Sequence, residues 1–167
     1  MRWLIDGYNV IRREPDLRAE EGRSLEAGRR ALIRLLSAAL PRTADDFIVV
    51  FDGAPGSAAS GPAGRIEIVF SRPPEKADDV LRRLATRWRE GGVVVTSDRA
   101  VQDAARRLHS VVVGSEDFLA ALAMESAAED DGDDDDHHEA EPKRGNPRRR
   151  ARDERAARRA LRRLQGF

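Results

Sequence analysis

The chain contains no cysteine. That absence removes disulfide frameworks, thiolate metal sites and cysteine nucleophiles together, and it favours a cytosolic home over a secreted one. Long apolar runs are also missing. The longest, such as Phe47 to Phe51, fall far short of the roughly 20 residues a membrane helix needs. The opening Met1-Arg2-Trp3-Leu4-Ile5-Asp6 meets a carboxylate after three apolar residues, which leaves no signal-peptide core, so no membrane partner is expected. There is no glycine-rich phosphate loop ending in Lys-Ser/Thr, no G-x-G-x-x-G, and no serine–histidine pair within reach of a strand end. NTPase, dinucleotide-dependent oxidoreductase and triad hydrolase therefore lose their support.

An excess of one charge is absent too, since 30 Lys and Arg balance 30 Asp and Glu. The balance conceals a division. Residues 1–127 hold 19 basic and 19 acidic side chains, residues 128–142 hold 9 acids and no base, and residues 143–167 hold 11 bases against 2 acids. A neutral body is followed by an acidic stretch of −9 and a basic tail of +9. The 40% apolar content of 167 residues fills one core, so residues 1–127 are read as a single domain. Residues 128–147 have almost nothing to bury and read as an acidic disordered linker. Residues 148–167 read as a basic helical C-terminal arm whose only stripe is Ala157, Ala160, Leu161 and Leu164. Residues 53–64 are turn formers and small side chains, and predict a mobile loop.

Within the body, five short apolar runs, Trp3 to Ile5, Phe47 to Phe51, Ile66 to Phe70, Val93 to Thr96 and Val111 to Val113, predict strands buried on both faces. Four helical patterns lie between and after them. One begins at a capping Ser24 and carries Leu25, Leu32, Leu36 and Ala39. The second follows Pro73-Pro74, with Ala77, Leu81, Leu84 and Trp88. The third carries Val101, Ala104, Ala105 and Leu108, and the fourth carries Phe118, Leu119 and Leu122 behind a capping Ser115. Strands alternating with helices predict an α/β fold with a mainly parallel sheet covered on both faces.

Three of these strands run straight into an aspartate: Leu4-Ile5-Asp6, Val50-Phe51-Asp52 and Val95-Thr96-Ser97-Asp98. The carboxyl ends of parallel strands share one edge, where ligands bind. An aspartate there also serves as a turn former or helix cap. Three together repel one another unless a cation compensates, which points to a hard-metal site for Mg²⁺ or Mn²⁺. A fourth carboxylate comes from Glu75-Lys76-Ala77-Asp78-Asp79. With Ala77 set at zero, Leu81, Leu84 and Trp88 fall within about 40° of it, Asp78 at about 100° and Asp79 at about 200°. Asp78 thus borders the buried stripe while Asp79 faces water. A carboxylate-held divalent ion without a covalent nucleophile fits hydrolysis of a phosphodiester.

The blocks Leu4-Ile5-Asp6-Gly7-Tyr8-Asn9-Val10-Ile11, Val49-Val50-Phe51-Asp52-Gly53, Lys76-Ala77-Asp78-Asp79 and Val95-Thr96-Ser97-Asp98 resemble, in order and spacing, the NYN domain of the PIN-like nuclease superfamily, closest to its YacP-like branch. The resemblance covers residues 2 to about 127 and implies a PIN-like three-layer α/β/α sandwich with a mainly parallel central sheet. It further implies metal-dependent RNA cleavage, with a metal-binding acidic set mapping onto Asp6, Asp78 and Asp98, Asp52 nearby, and links to translation and RNA turnover. Asn9 matches the motif's asparagine, either to orient a carboxylate or phosphate or as an ordinary turn amide. In the tail, Arg148, Arg149, Arg150, Arg152, Arg155, Arg158 and Arg159 form a cationic arm suited to RNA or ribosome contact, the alternative being a solvated, partly disordered arm. The expected function is a metal-dependent endoribonuclease; the alternative is an RNA-binding or ribosome-associated module with little or no catalysis. The chain carries no signature of an oligomeric state.

Overall fold

The computed structural model describes residues 1–53, 64–123 and 147–166. The expected loop over 54–63 and the expected acidic linker up to residue 146 lie outside the described residues.

Each β-branched run forms a strand: β1 (Arg2–Asp6), β2 (Asp46–Phe51), β3 (Ile66–Phe70), β4 (Gly92–Val95) and β5 (Val111–Val113). They form one sheet in the order β3-β2-β1-β4-β5. Every neighbouring pair is parallel. The central strand β1 brings Ile5 level with Val49 on one side and Val95 on the other. The chain first winds outward from β1 to β3, then returns to β4 on the opposite side of β1. The carboxyl ends of β1 and β4 therefore flank the point where the winding reverses, the usual place for a ligand crevice in such sheets.

Among the described residues seven helices cover the sheet: α1 (Gly7–Arg13), α2 (Pro15–Arg23), α3 (Leu25–Ala39), α4 (Ala77–Trp88), α5 (Arg99–Arg107), α6 (Ser115–Ala123) and α7 (Pro147–Leu164). Alternation along the strands divides the core. Trp3, Ile5, Phe47, Val49 and Phe51 pack with Leu32, Leu36 and Phe118 on one face. Leu4, Ile48, Val50 and Val94 pack with Val80, Leu81 and Val101 of α4 and α5 on the other. The result is the three-layer α/β/α sandwich expected, with a wholly parallel sheet. Among the described residues no helix is long and apolar enough to cross a membrane.

Three local features depart from the sequence reading. The first two helices were not anticipated, because residues 7–23 show no apolar stripe and only Gly7, Val10, Ile11 and Leu17 are buried there. Tertiary contacts form them instead: Asp6 caps α1, and Gly28 lets α3 approach α2 so closely that a Cβ would stand 2.9 Å from Glu21 Cβ. Ser115 does not cap α6. It opens the helix, and its hydroxyl donates to Asn9 Oδ1 at 2.7 Å. The basic helix α7 also differs from a free arm, since Ala160 and Leu164 are buried in the core and Ala157 and Leu161 pack against it.

An ion pair fastens this helix. Asp45, fully buried just before β2, accepts from Arg163 Nε at 3.1 Å, from Trp3 Nε1 at 3.0 Å and from the Met1 amino group. Burial pushes the Asp45 carboxyl up, but these donors outweigh it and hold it below the usual range. A depressed carboxyl contributes stability that is present above the ordinary Asp value of about 3.9 and is lost as pH falls through the folded-state value. Asp45→Ala leaves the buried Trp3 indole N–H unpaired, so it should cost at least about 2 kcal/mol. Urea unfolding at neutral pH should show that cost, and the gap from wild type should shrink below about pH 4.

Candidate active site

At the carboxyl edge of the sheet lies a cavity of about 510 Å³. It is lined by the four carboxylates Asp6, Asp52, Asp78 and Asp98 together with Tyr8, Asn9, Arg12, Arg13, Leu25 and Ala77. The strands deliver their terminal carboxylates as the topology requires, and α4 adds Asp78. Asp79, one residue on, is exposed: its Oδ2 accepts from the Lys76 amide and its Oδ1 pairs with Arg82 at 3.2 Å. The helical-wheel division between these two neighbours is what the structure has.

The aspartates at the strand ends are helix caps and cavity residues at once. Asp6 Oδ1 accepts from the Asn9 amide at 3.3 Å, and Oδ2 accepts from Thr96 Oγ1 at 3.0 Å. Asp98 spends one oxygen, Oδ1, on the Ala100 and Val101 amides at 2.7 and 3.1 Å. Asp52 Oδ1 accepts from Ser71 Oγ at 2.5 Å and from the Ala77 amide at 3.3 Å. Both oxygens of Asp6 are engaged, whereas Oδ2 of Asp52 and Oδ2 of Asp98 have no hydrogen-bond partner among the described residues. Neither oxygen of Asp78 has one.

Electrostatics couple the four. Burial pushes the Asp6 carboxyl above its ordinary value; hydrogen bonds from Asn9 and Thr96 pull it back, and the charges of Asp78 and Asp98 push it up again. Burial likewise raises Asp78, with Asp98 adding to it, Arg82 opposing, and Asp79 and Asp52 contributing further. Among the described residues, no group of three or more acidic or histidine side chains stands close enough to hold a metal ion as placed. The donor set nonetheless fits a hard cation in kind, being all oxygen and partly unengaged.

The Asp6-Gly7-Tyr8-Asn9 segment has a physical account residue by residue. A Cβ on Gly7 would stand 2.3 Å from the Phe51 ring, so only glycine lets α1 start directly at the strand end. Tyr8 meets Phe51 edge-on with centroids 5.1 Å apart, and its hydroxyl accepts from Arg29 Nε and Nη2 at 2.9 and 2.6 Å. Asn9 Oδ1 accepts from the Ser97 amide at 2.9 Å and from Ser115 Oγ. Its carboxamide oxygen thereby ties the β1, β4 and β5 ends together, and two donors fix which way the amide faces. Gly7→Ala should displace Phe51 and with it the neighbouring Asp52, at a cost of about 1–3 kcal/mol in thermal unfolding. An unchanged melting temperature would contradict this close approach.

Sequence reasoning missed the cationic rim. Arg12 and Arg13 follow Tyr8 and Asn9 by four residues each, so recognising α1 as a helix would have put all four on neighbouring faces. Arg13 Nη1 bonds Glu116 Oε1 at 2.7 Å, and Glu116 Oε2 accepts from Ser97 Oγ. The Ser97 hydrogen bond, helped by the Glu116 amide and Arg13 against slight burial, lowers the Glu116 carboxyl. Of the expected nucleic-acid-binding arginines, Arg152, Arg155, Arg158 and Arg159 are exposed on α7 and do not line the cavity. The side chains of Arg148, Arg149 and Arg150 lie outside the description.

A parallel α/β/α sandwich with strand order 3-2-1-4-5 and carboxylates gathered at its switch point defines a nuclease-like domain of the PIN type. The chain belongs to the YacP-like NYN domain family, whose pattern matches residues 3–165, so the match runs on through α7. It is similar to the uncharacterized protein YacP of Bacillus subtilis strain 168, at 33% identity over 84 residues, and spans 49% of that relative's length and 49% of its own. It is also similar to the crystal structure of Rae1 (YacP) from Bacillus subtilis, with a TM-score of 0.64 and 28% identity over 73% of each chain. A tryptophan-to-leucine mutant of that protein matches with a TM-score of 0.62 and 27% identity, over 73% of this chain and 74% of that one.

Proposed function

We propose that the protein is a cytosolic metal-dependent endoribonuclease that hydrolyses RNA phosphodiester bonds with Mg²⁺ or Mn²⁺. The observation that carries this reading is the convergence of Asp6, Asp52, Asp78 and Asp98 on one cavity, with Asp6 and Asp78 both raised by burial and mutual repulsion. Asp6, Asp78 and Asp98 would hold the cation, with Asp52 beside them. When bound, such an ion supplies water activation and charge stabilisation at the phosphorus. The chain's own residues supply the rest. The capping bonds on Asp6 and Asp98 fix where their carboxylates can reach, and Asn9 locks the three loop ends that carry them. Arg12 and Arg13 offer donors to phosphate oxygens across the cavity. RNA as substrate, and a place in translation-linked turnover with the ribosome as partner, follow from the family resemblance.

A second reading, an RNA-binding module with little catalysis, draws on one observation: no three of the carboxylates are drawn together as they stand. Incubation of a mixed RNA pool with Mn²⁺, with and without EDTA, separates the two. Cleavage that EDTA abolishes is the expected result. Binding without any cleavage, over a range of Mn²⁺ and pH, would replace the nuclease with the binding module.

A further inference from the structure

The wall formed by Tyr8, Arg12, Arg13 and Leu25 is built differently from the carboxylates that share the cavity. Tyr8 presents a ring held by two Arg29 hydrogen bonds, and the Arg29 guanidinium is itself seated over Phe51 and Phe70 at 5.6 and 5.0 Å. Beside it stands Leu25, 50% exposed and the exposed large hydrophobic of the described residues. Arg12 and Arg29 both stand by the Tyr8 ring, 5.4 and 5.6 Å from its centroid. A second groove, of about 460 Å³, adjoins this wall, shares Arg12 and Arg13 with it and extends to Arg18.

A rigid ring, an exposed aliphatic side chain and guanidinium groups share one cavity with a set of carboxylates. The ring and Leu25 can contact only the face of a base that is free of its own stacking partners. Guanidinium groups grip phosphate oxygens in pairs. Arg13 pairs with Glu116 in an exposed ion pair of the kind that contributes little, while Arg12 keeps its exposed guanidinium 3.4 Å from the mostly buried Glu21. Arg18 pairs with no carboxylate among the described residues.

Building on the nuclease reading, we propose that this wall is the substrate track for single-stranded RNA. One unpaired base rests on Leu25 and Tyr8, the backbone leaves along Arg12, Arg13 and Arg18, and the adjacent phosphate is thereby turned toward the carboxylates. The track lies on α1, α2 and the start of α3, and makes no use of α7. It accounts for the exposed leucine, for the elaborate support of Tyr8 and for the two cavities sharing their arginines.

The test is binding rather than cleavage. A short fluorescein-labelled RNA of mixed sequence is titrated by anisotropy in EDTA, over about 50–200 mM salt. Each lost phosphate contact removes about 0.7 from the log-log salt slope, so Arg12→Ala with Arg13→Ala should flatten it by about 1.4. Leu25→Ser should weaken binding roughly fivefold at every salt with the slope unchanged, because a base contact carries no counterions. The same RNA annealed into a duplex should bind more weakly and ignore Leu25→Ser. If wild type binds RNA while these variants bind as wild type does, the track is wrong and the nuclease reading survives. If the duplex responds to Leu25→Ser as the single strand does, the single-strand assignment is wrong. If wild type binds no RNA, both readings fall.

Discussion

Asp78→Ala is expected to reduce RNA cleavage by more than about 100-fold, the scale lost when a metal ligand rather than a supporting group is removed. Asp79→Ala should stay near wild type. The two substitutions remove the same charge from adjacent residues of one helix, so neither net charge nor helix-dipole effects can separate them. What separates them is direction. Asp78 lines the cavity with both oxygens unengaged among the described residues, while Asp79 is exposed and occupied by the Lys76 amide and Arg82. Asp79→Ala should even be the more damaging of the two to folding, because it loses a contact at the start of α4. Initial cleavage rates for both proteins, with melting temperatures alongside, check this. Equal loss of activity would show that the facing of α4 does not organise the site.

Asp6→Asn should abolish cleavage and raise stability. Burial, Asp78 and Asp98 hold the Asp6 carboxyl above its ordinary value. Between that ordinary value and the raised one, the native state binds more protons than the unfolded chain, so stability falls as pH rises through the window. Above the window the native state carries the full cost of a buried charge facing like charges. Asparagine keeps the oxygen that accepts from the Asn9 amide and removes the charge. In EDTA at neutral pH, the melting temperature should rise by roughly 2–4 °C, as about 1 kcal/mol would produce in a domain of this size. Below about pH 4, where an ordinary aspartate is itself protonated, the difference should vanish. A variant less stable at neutral pH would mean that the Thr96 and Asn9 bonds dominate and that Asp6 is a structural cap alone.

Legibility in the sequence followed the physics of each element. The strands could be read because they are short, mostly β-branched apolar runs, three of them leading into an aspartate, and α3 and α4 because their stripes and flanking signals are strong. Asp78 and Asp79 could be told apart by periodicity, since Asp79 falls opposite the buried face of α4, which is Ala77, Val80, Leu81, Leu84 and Ala85. The first two helices could not be read, because Asp6 and the Gly28 contact sustain them in place of a stripe of their own. With α1 hidden, Arg12 and Arg13 were hidden too, and cationic attention went to the tail. The docking of α7 was equally out of local view: its anchor Asp45 lies 118 positions from Arg163, and a four-residue stripe among arginines gives no hint of which surface receives it. A strand-end aspartate reads equally as a cap or as a site residue, and in the structure Asp6 and Asp98 are both: each caps a helix and each lines the cavity.

Isothermal titration of Mn²⁺ into the protein freed of metal tests the central claim most directly, because it asks whether these carboxylates gather around a cation without needing an RNA substrate. Wild type should bind Mn²⁺, and Asp6→Asn, Asp78→Ala and Asp98→Asn should each weaken binding by at least about tenfold while Asp79→Ala does not. No binding by wild type, or binding that none of the three substitutions changes, would contradict the account.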